Sequence, residues 1–485
     1  MTFQTTLNLK YTFRAIVVTM TTWTILACRV QMRPPELTNA ATARNIELAT
    51  GNQISGKIVA VGAAETTFVP DNPVALAGFG GPGRRFLPPL FTSGGDISFC
   101  KPYREIVNPP RIKVALFNVA DATGSISRFQ LVSLDTVAVT ADMTKKIHAA
   151  LDAVHPDAPQ KSSLSNTIVQ ATHTHSGPAG LTESALWSAF VCDRYSENLM
   201  MKYLTVLGDV TKSAEAKLQP ITSIETTKAD VAPRLRSRFA GMEASTEVSL
   251  ISFKTANANI PLSLLQMAVH PTWYGSEKLT LSADLVTPLE ATLQNLTGSQ
   301  EVFLMQTSVG NMDANMGDDE PEAWAQRFGE SLLSGGKTTT VSLNTSVVGG
   351  YLALPEPSVN WKACSAEWAK PVVSLPVLQE LPKKAPFSIW NLNETVQLML
   401  PGEWTTAASK QIAGELQESF PERNGIKIFS LANEYTAYHL TTADYHKVTL
   451  ESCSSIYGDS LLMGFASELN VFSKRSDSGS PSDSN

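Results

Sequence analysis

Between Gln53 and Phe472 the chain carries no low-complexity linker, so about 420 residues have to be accommodated in one continuous folding unit. Within that stretch, short β-branched segments alternate with helix-length amphipathic ones. Lys57–Gly62, Ile112–Val119, Phe129–Asp135, Thr167–His173, Val248–Phe253, Leu262–His270 and Val302–Thr307 have strand character. Val139–Val154, Asn198–Leu218, Pro321–Leu333 and Thr405–Gln417 place apolar residues at helical spacing, and Thr338–Val347 with Gly349-Gly350 reads as strand and turn. The alternation predicts an α/β (mixed α+β) class: one large sandwich-like domain of mixed sheets covered by helices. Glycines and prolines from Gly78 to Gly95 predict a long loop region forming the rim of a site.

Composition sets the outer limits. Of 485 residues 43% are hydrophobic and 17% charged, which excludes a disordered chain. The 38 basic residues stand against 45 acidic ones, a net charge of −7, with no long Lys/Arg cluster, so nucleic acid is not an expected partner. At the N-terminus, Lys10 and Arg14 precede an apolar run from Ala15 to Ala27. A helix needs about 20 residues to span a bilayer, so this shorter run reads as the core of an export signal. Ile25-Leu-Ala-Cys28 is similar to a bacterial lipobox, which makes Cys28 the expected lipid attachment site. Lipoprotein, ordinary secretion and uncleaved anchor all imply export, to the periplasm or cell envelope or to the medium. The expected division is signal 1–28, tether 29–52, domain 53–472 and disordered tail 473–485. Cys100, Cys192, Cys364 and Cys453 then fold in an oxidising space and allow up to two disulfides, with buried thiols the other reading.

The segment richest in chemistry is Ala171-Thr-His-Thr-His-Ser-Gly-Pro-Ala-Gly180. A strand reaching His173 and His175 would put both imidazoles on one face at its carboxyl edge, where α/β sites lie. Such a pair suits a metal ligand beside an acid/base, or else a hydrogen-bonded structural pair. His270 closes another strand candidate ahead of Pro271, again at an edge.

Thr172-His-Thr-His-Ser-Gly-Pro-Ala-Gly180 is similar to the Thr-His-Thr-His-Ser-Gly-Pro-Gly-Gly motif of the neutral ceramidases, zinc amidases that hydrolyse the N-acyl bond of ceramide. Further stations follow in order: Val61-Gly-Ala-Ala-Glu-Thr-Thr67, Leu131-Val-Ser-Leu-Asp135, Ala268-Val-His270, Leu400-Pro-Gly-Glu403-Trp-Thr405, and Ala432-Asn-Glu-Tyr435-Thr-Ala-Tyr438-His-Leu-Thr-Thr442. The resemblance runs from about residue 55 to 470. It implies one zinc ion per chain held by His173, His270, Glu403 and Tyr438, an N/O donor set suited to that metal. It further implies His175 as acid/base, Arg236 near the metal with Arg238 two residues on, and Asp284 and Tyr435 toward the substrate, a ceramide-like lipid met at a membrane through the lipid anchor or peripheral contact. The immunoglobulin-like C-terminal domain of many relatives is not expected. The resemblance breaks where the family has a catalytic Ser: Asp313 stands there, followed by Ala314. A zinc-activated water, with Asp313 as base or water anchor, is therefore expected in place of a serine nucleophile; a loop Asp satisfying backbone amides is the other reading.

Overall fold

The structure, a computed structural model, describes residues 47–49, 53–79, 83–91, 97–157, 160–190, 193–357, 381–392, 395–417, 425–447 and 449–458. The export signal, Cys28, most of the tether, Cys192, Cys364 and the tail lie outside the described residues. The larger sheet runs, edge to edge, through Ile426–Phe429, Thr395–Met399, Lys384–Leu392, Asn344–Ala353, Ile54–Thr67, Arg111–Ala120, Ile126–Leu134 and Thr167–Ala171. The smaller sheet runs Val302–Gln306, Leu262–Met267, Glu247–Lys254, Ser223–Asp230 and Lys337–Val341. Glu47–Leu48, inside the stretch expected as tether, already pairs with Tyr351 and Gly350 of the larger sheet.

Side-chain alternation along the central strands builds the layers. Ile112, Val114 and Leu116 face an outer core, packed against Met143, Ile147 and Leu151 of helix Ala141–Val154 and Met200, Tyr203 and Leu207 of helix Glu197–Ala216. Ala115, Phe117 and Val119 face the other way, into a core shared with Phe253, Leu264 and Phe303 of the smaller sheet. At its centre Phe117 lies 5.2 Å from Phe129, 5.3 Å from Phe253 and 5.6 Å from Trp390, ring centre to ring centre. Helices Val286–Thr297 and Pro321–Gly335 cover the far face of the smaller sheet through Leu289, Leu293, Trp324 and Phe328. The result is four layers, helix, sheet, sheet, helix, as the alternation predicts.

Three local features differ from expectation. Part of the predicted rim loop is a hairpin, Arg85–Phe91 against Ile97–Cys100. Helix Val286–Thr297 went unpredicted because it starts without a side-chain cap, on Leu285. The strand before His173 stops at Ala171, and His173 itself adopts φ 71°. The two imidazoles of the His-Thr-His segment are thus aimed by a turn and not by the pleat of a strand.

Candidate metal centre

The last strand pair of each sheet is parallel: Ile126–Leu134 with Thr167–Ala171, and Leu262–Met267 with Val302–Gln306. His173 follows one of these strands and His270 another, and a buried glutamine ties the two ends together. Gln306 Nε2 donates to the carbonyl oxygens of Thr172 (2.7 Å) and Val269 (2.6 Å), the residues directly before the two histidines. Gln170 donates to the carbonyls of Gln306 and Ser430, both at 3.0 Å, which brings in the Ser430–Tyr438 loop. That loop delivers Tyr438 beside Glu403 through a two-residue parallel pairing, Glu403–Trp404 with Tyr438–His439. Gly402 (φ 73°) permits the close approach, since a Cβ there would sit 2.4 Å from the Ala437 carbonyl oxygen. Besides His173, Asp284, Leu431, Asn433 and Ala437 hold positive φ angles of 59–64° around this end of the molecule. Such conformations cost energy and persist only where their surroundings over-determine them.

His173 Nδ1 lies 2.6 Å from the Val137 carbonyl oxygen and His270 Nδ1 lies 2.9 Å from that of Met312. A carbonyl oxygen only accepts, so both Nδ1 atoms carry a proton and each Nε2 is left to act as a metal ligand or, when it too is protonated, as a donor. Those Nε2 atoms face Glu403 Oε2, at 3.2 Å from His173 Nε2 and 3.1 Å from His270 Nε2. Two imidazole nitrogens and a carboxylate oxygen, all buried, are satisfied together only with a cation or proton among them. Atoms bound about 2.0–2.1 Å from a tetrahedral ion stand about 3.4 Å apart, close to these separations. The donor set therefore fits a metal cation. Among the described residues, His173, His175 and His270 are a group whose ligand atoms lie within 4.8 Å of one another and could hold a metal ion.

The surroundings bias every charge. Burial alone would raise the Glu403 carboxyl, but His173 and His270 outweigh it and hold the group well below the usual carboxylate range. Burial, helped by the Arg238 charge, pushes His270 down to about 3. His175 is held well below the usual imidazole range, first by burial and then by His173 and His270. Tyr438 hydrogen-bonds Glu403 and Arg238, and burial with the Glu403 charge holds its phenol well above the ordinary range.

The structure brings together His173, His175, His270, Glu403 and Tyr438. Four other expected site residues lie differently. Arg236 is largely exposed and pairs with Asp313, Nη2 to Oδ2 at 3.3 Å. Arg238 turns inward instead, onto Tyr438 and toward Glu451, because the strand Leu235–Ser237 ends just before it and the chain bends. Asp313 also accepts from the Ala314 N–H (2.9 Å) and is not part of the metal-competent group; its neighbour Met312 supplies the carbonyl that anchors His270. Asp284 accepts from the backbone N–H groups of Trp273, Tyr274 and Leu285 at 2.8–2.9 Å, clamping the loop after His270, so its oxygens do not face a substrate. Tyr435 donates its hydroxyl to Glu403 Oε1 at 2.6 Å and thereby fixes the carboxylate. Its ring also packs on Trp187 and lines a small apolar recess with Val137, Met143 and Leu181.

Sequence reasoning missed Gln306, whose only signal was one polar residue ending the apolar run Val302-Phe-Leu-Met. His439 was left without a role. It is buried, bonds Thr436 Oγ1 at 2.8 Å and packs on the Trp404 ring at 4.5 Å, stiffening the Glu403 turn.

Comparison with known proteins bears on this geometry. A crystal structure of neutral ceramidase from Pseudomonas aeruginosa superposes with a TM-score of 0.67, covering 86% of this chain and 75% of that one at 16% identity. The chain has the neutral ceramidase fold. A ceramidase complexed with C2 gives a TM-score of 0.68 over 88% of this chain and 77% of its own, at 15% identity. In sequence, neutral ceramidase A of Dictyostelium discoideum is 25% identical over 155 residues, which are 30% of this chain and 21% of that protein. The aligned chain thus spans about a fifth of that curated relative. No protein-family model matches the chain.

Proposed function

We propose that the protein is an exported zinc amidohydrolase that cleaves the N-acyl amide bond of ceramide or a related N-acyl lipid, giving a fatty acid and an amine. The observation that carries this reading is the pair of imidazoles locked through Nδ1, with both Nε2 atoms facing Glu403. His173, His270, Glu403 and Tyr438 would hold the metal, with His175 beside it. Bound zinc would supply Lewis acidity, polarising a carbonyl and lowering the pKa of water to about 7.

The remaining chemistry belongs to the chain. His175 is neutral near pH 7, as its lowered pKa requires, so it takes the proton of the attacking water and returns it to the departing nitrogen. Its Nε2 lies 3.3 Å from His173 Nε2, which supports a role beside the proposed metal. Tyr435 fixes the Glu403 carboxylate, and the Arg238 cation hydrogen-bonds Tyr438 and offsets the negative charge of Glu403. Export is supported by Cys453, which is disulfide-bonded. Among the described residues no helix is long and apolar enough to cross a membrane, and the proposed membrane contact is through Cys28 or peripheral.

Fatty-acid release from a panel of N-acyl sphingosines and simpler N-acyl amines, with His173→Ala as control, tests the reading. Preferential hydrolysis of the sphingosines, abolished in the control, is expected. Hydrolysis of simpler amides alone would support a second reading, a zinc hydrolase of another amide or ester, which Asp313 in place of the family's Ser favours. Less than one zinc per chain and no turnover would leave a lipid-anchored binding protein.

A further inference from the structure

His175 differs from its two neighbours in how it is held. His173 and His270 are locked by carbonyls at Nδ1, whereas His175 Nδ1 is buried without a hydrogen-bond partner. Its ring orientation must come from elsewhere, and two residues before the Arg85–Phe91 hairpin strand surround it. The Phe79 ring meets the His175 ring edge to face at 4.7 Å. Arg84 is fully buried and donates from Nη1 to the His175 carbonyl oxygen and from Nη2 to Ser176 Oγ at 3.2 Å, while its guanidinium lies 4.8 Å from the centre of the Phe79 ring. Gly78 (φ 122°) lets the segment come this close, since a Cβ there would lie 2.6 Å from His175 Cγ. Burying an arginine is costly unless its charge is well placed, and here burial pushes the guanidinium down to about 10.

We propose that Phe79 and Arg84 are positioning residues for His175, replacing the carbonyl anchor that the other two histidines have and keeping its ring aimed at the reacting centre. The brace rests on His175 being the proton carrier of the proposed amidase. An imidazole tied at Nδ1 would keep one fixed tautomer. His175, held by ring packing and by its backbone, keeps Nδ1 unbonded while its Nε2 faces His173 Nε2 at 3.3 Å, so the brace alone sets where that nitrogen points.

The test uses the full-length protein labelled with 15N-histidine. In the metal-free form the His175 ring signal is assigned by its loss in His175→Gln. Phe79→Leu and Arg84→Met are expected to shift or broaden that signal while the His173 and His270 signals and the bound-metal stoichiometry stay as in the wild type. In the loaded enzyme the same variants lower kcat by about 100-fold with KM nearly unchanged, the effect of a reacting group displaced by about an ångström. Phe79→Tyr, which keeps the ring, restores both readouts. If Phe79→Leu or Arg84→Met is too unstable to purify, Arg84→Lys is read instead and shifts the His175 signal alone, because a lysine cannot span both acceptors. An unchanged His175 signal, or equal shifts in all three rings, overturns the brace. A wild type that binds metal but hydrolyses no N-acyl amine overturns the functional reading, and the metal-free NMR arm still decides the brace.

Discussion

Two buried polar clusters sit in this sandwich and resolve their charge in opposite ways. In the first, Arg111 Nε pairs with Asp135 at 3.1 Å and Nη1 with Glu65 at 3.2 Å, while Lys113 Nζ reaches Asp135 at 3.1 Å and Glu290 at 2.9 Å. Thr172 Oγ1 and the Leu304 N–H complete the two inner carboxylates at 3.0 and 2.6 Å. Despite the cost of burial, Glu290, Asp135 and Glu65 raise the Arg111 pKa. The second cluster, His173, His270 and Glu403, turns two imidazole nitrogens and a carboxylate oxygen toward one another. A closed network holds itself and serves the fold; an open one is complete only with a guest, and that marks it as functional. The two are joined through Thr172, which bonds Asp135 and directly precedes His173.

The largest effect should come from opening the second cluster. Glu403→Ala is expected to abolish metal binding and hydrolysis, read by metal analysis and product release, with far-ultraviolet circular dichroism unchanged; retained metal would show that the imidazoles suffice. Next, Arg111→Met leaves Asp135 and Glu290 with one cation between them, and urea unfolding should show a loss of about 3–5 kcal/mol. The comparison breaks if that variant loses metal while keeping its stability. A smaller change, Tyr435→Phe, removes the hydroxyl that fixes Glu403 and should weaken metal affinity by about 10–100-fold in competition with a chelator. The gentlest test needs no substitution. His270 and His439 have folded pKa values of about 3, against about 6.5 for an unperturbed imidazole. As pH falls the unfolded chain takes up their protons first, so metal-free protein should lose stability progressively between about pH 6.5 and 3. The depressed Glu403 carboxyl adds a loss in the same direction only below its ordinary value of 4.5. Equal urea midpoints at pH 7.5 and 5.5 would contradict the buried neutral state of these rings.

The layers were legible because strand alternation and helical spacing are local signals. Ile112–Val119 announces a strand buried on both faces, and Asn198–Leu218 a helix, without knowledge of their partners. The ligand set was legible only through its motifs, since nothing in the spacing of Glu403 or Tyr438 predicts that they meet His173. Arg236 and Arg238 show the limit: two residues apart in the motif, they could not be told apart, and only the bend after Ser237 separates a rim residue from an inward one. Asp284 shows another, because a carboxylate near a site reads as a substrate contact until three backbone N–H groups are found upon it. Gln306 was illegible as a clamp, because its acceptors, Thr172 and Val269, follow two strands that are distant in sequence.

The stitching of that end of the molecule also sets an order of events during synthesis. Gln170 and Val169 donate to Ser430 and Asn433, and Glu403 awaits Tyr438. A growing chain that has already made both histidines therefore still lacks the far wall of its pocket until the Ser430–Tyr438 loop emerges. Capture of a metal would consequently be a late event, and polypeptides cut short before Tyr438 are expected to fold their helices and inner strands yet bind no ion.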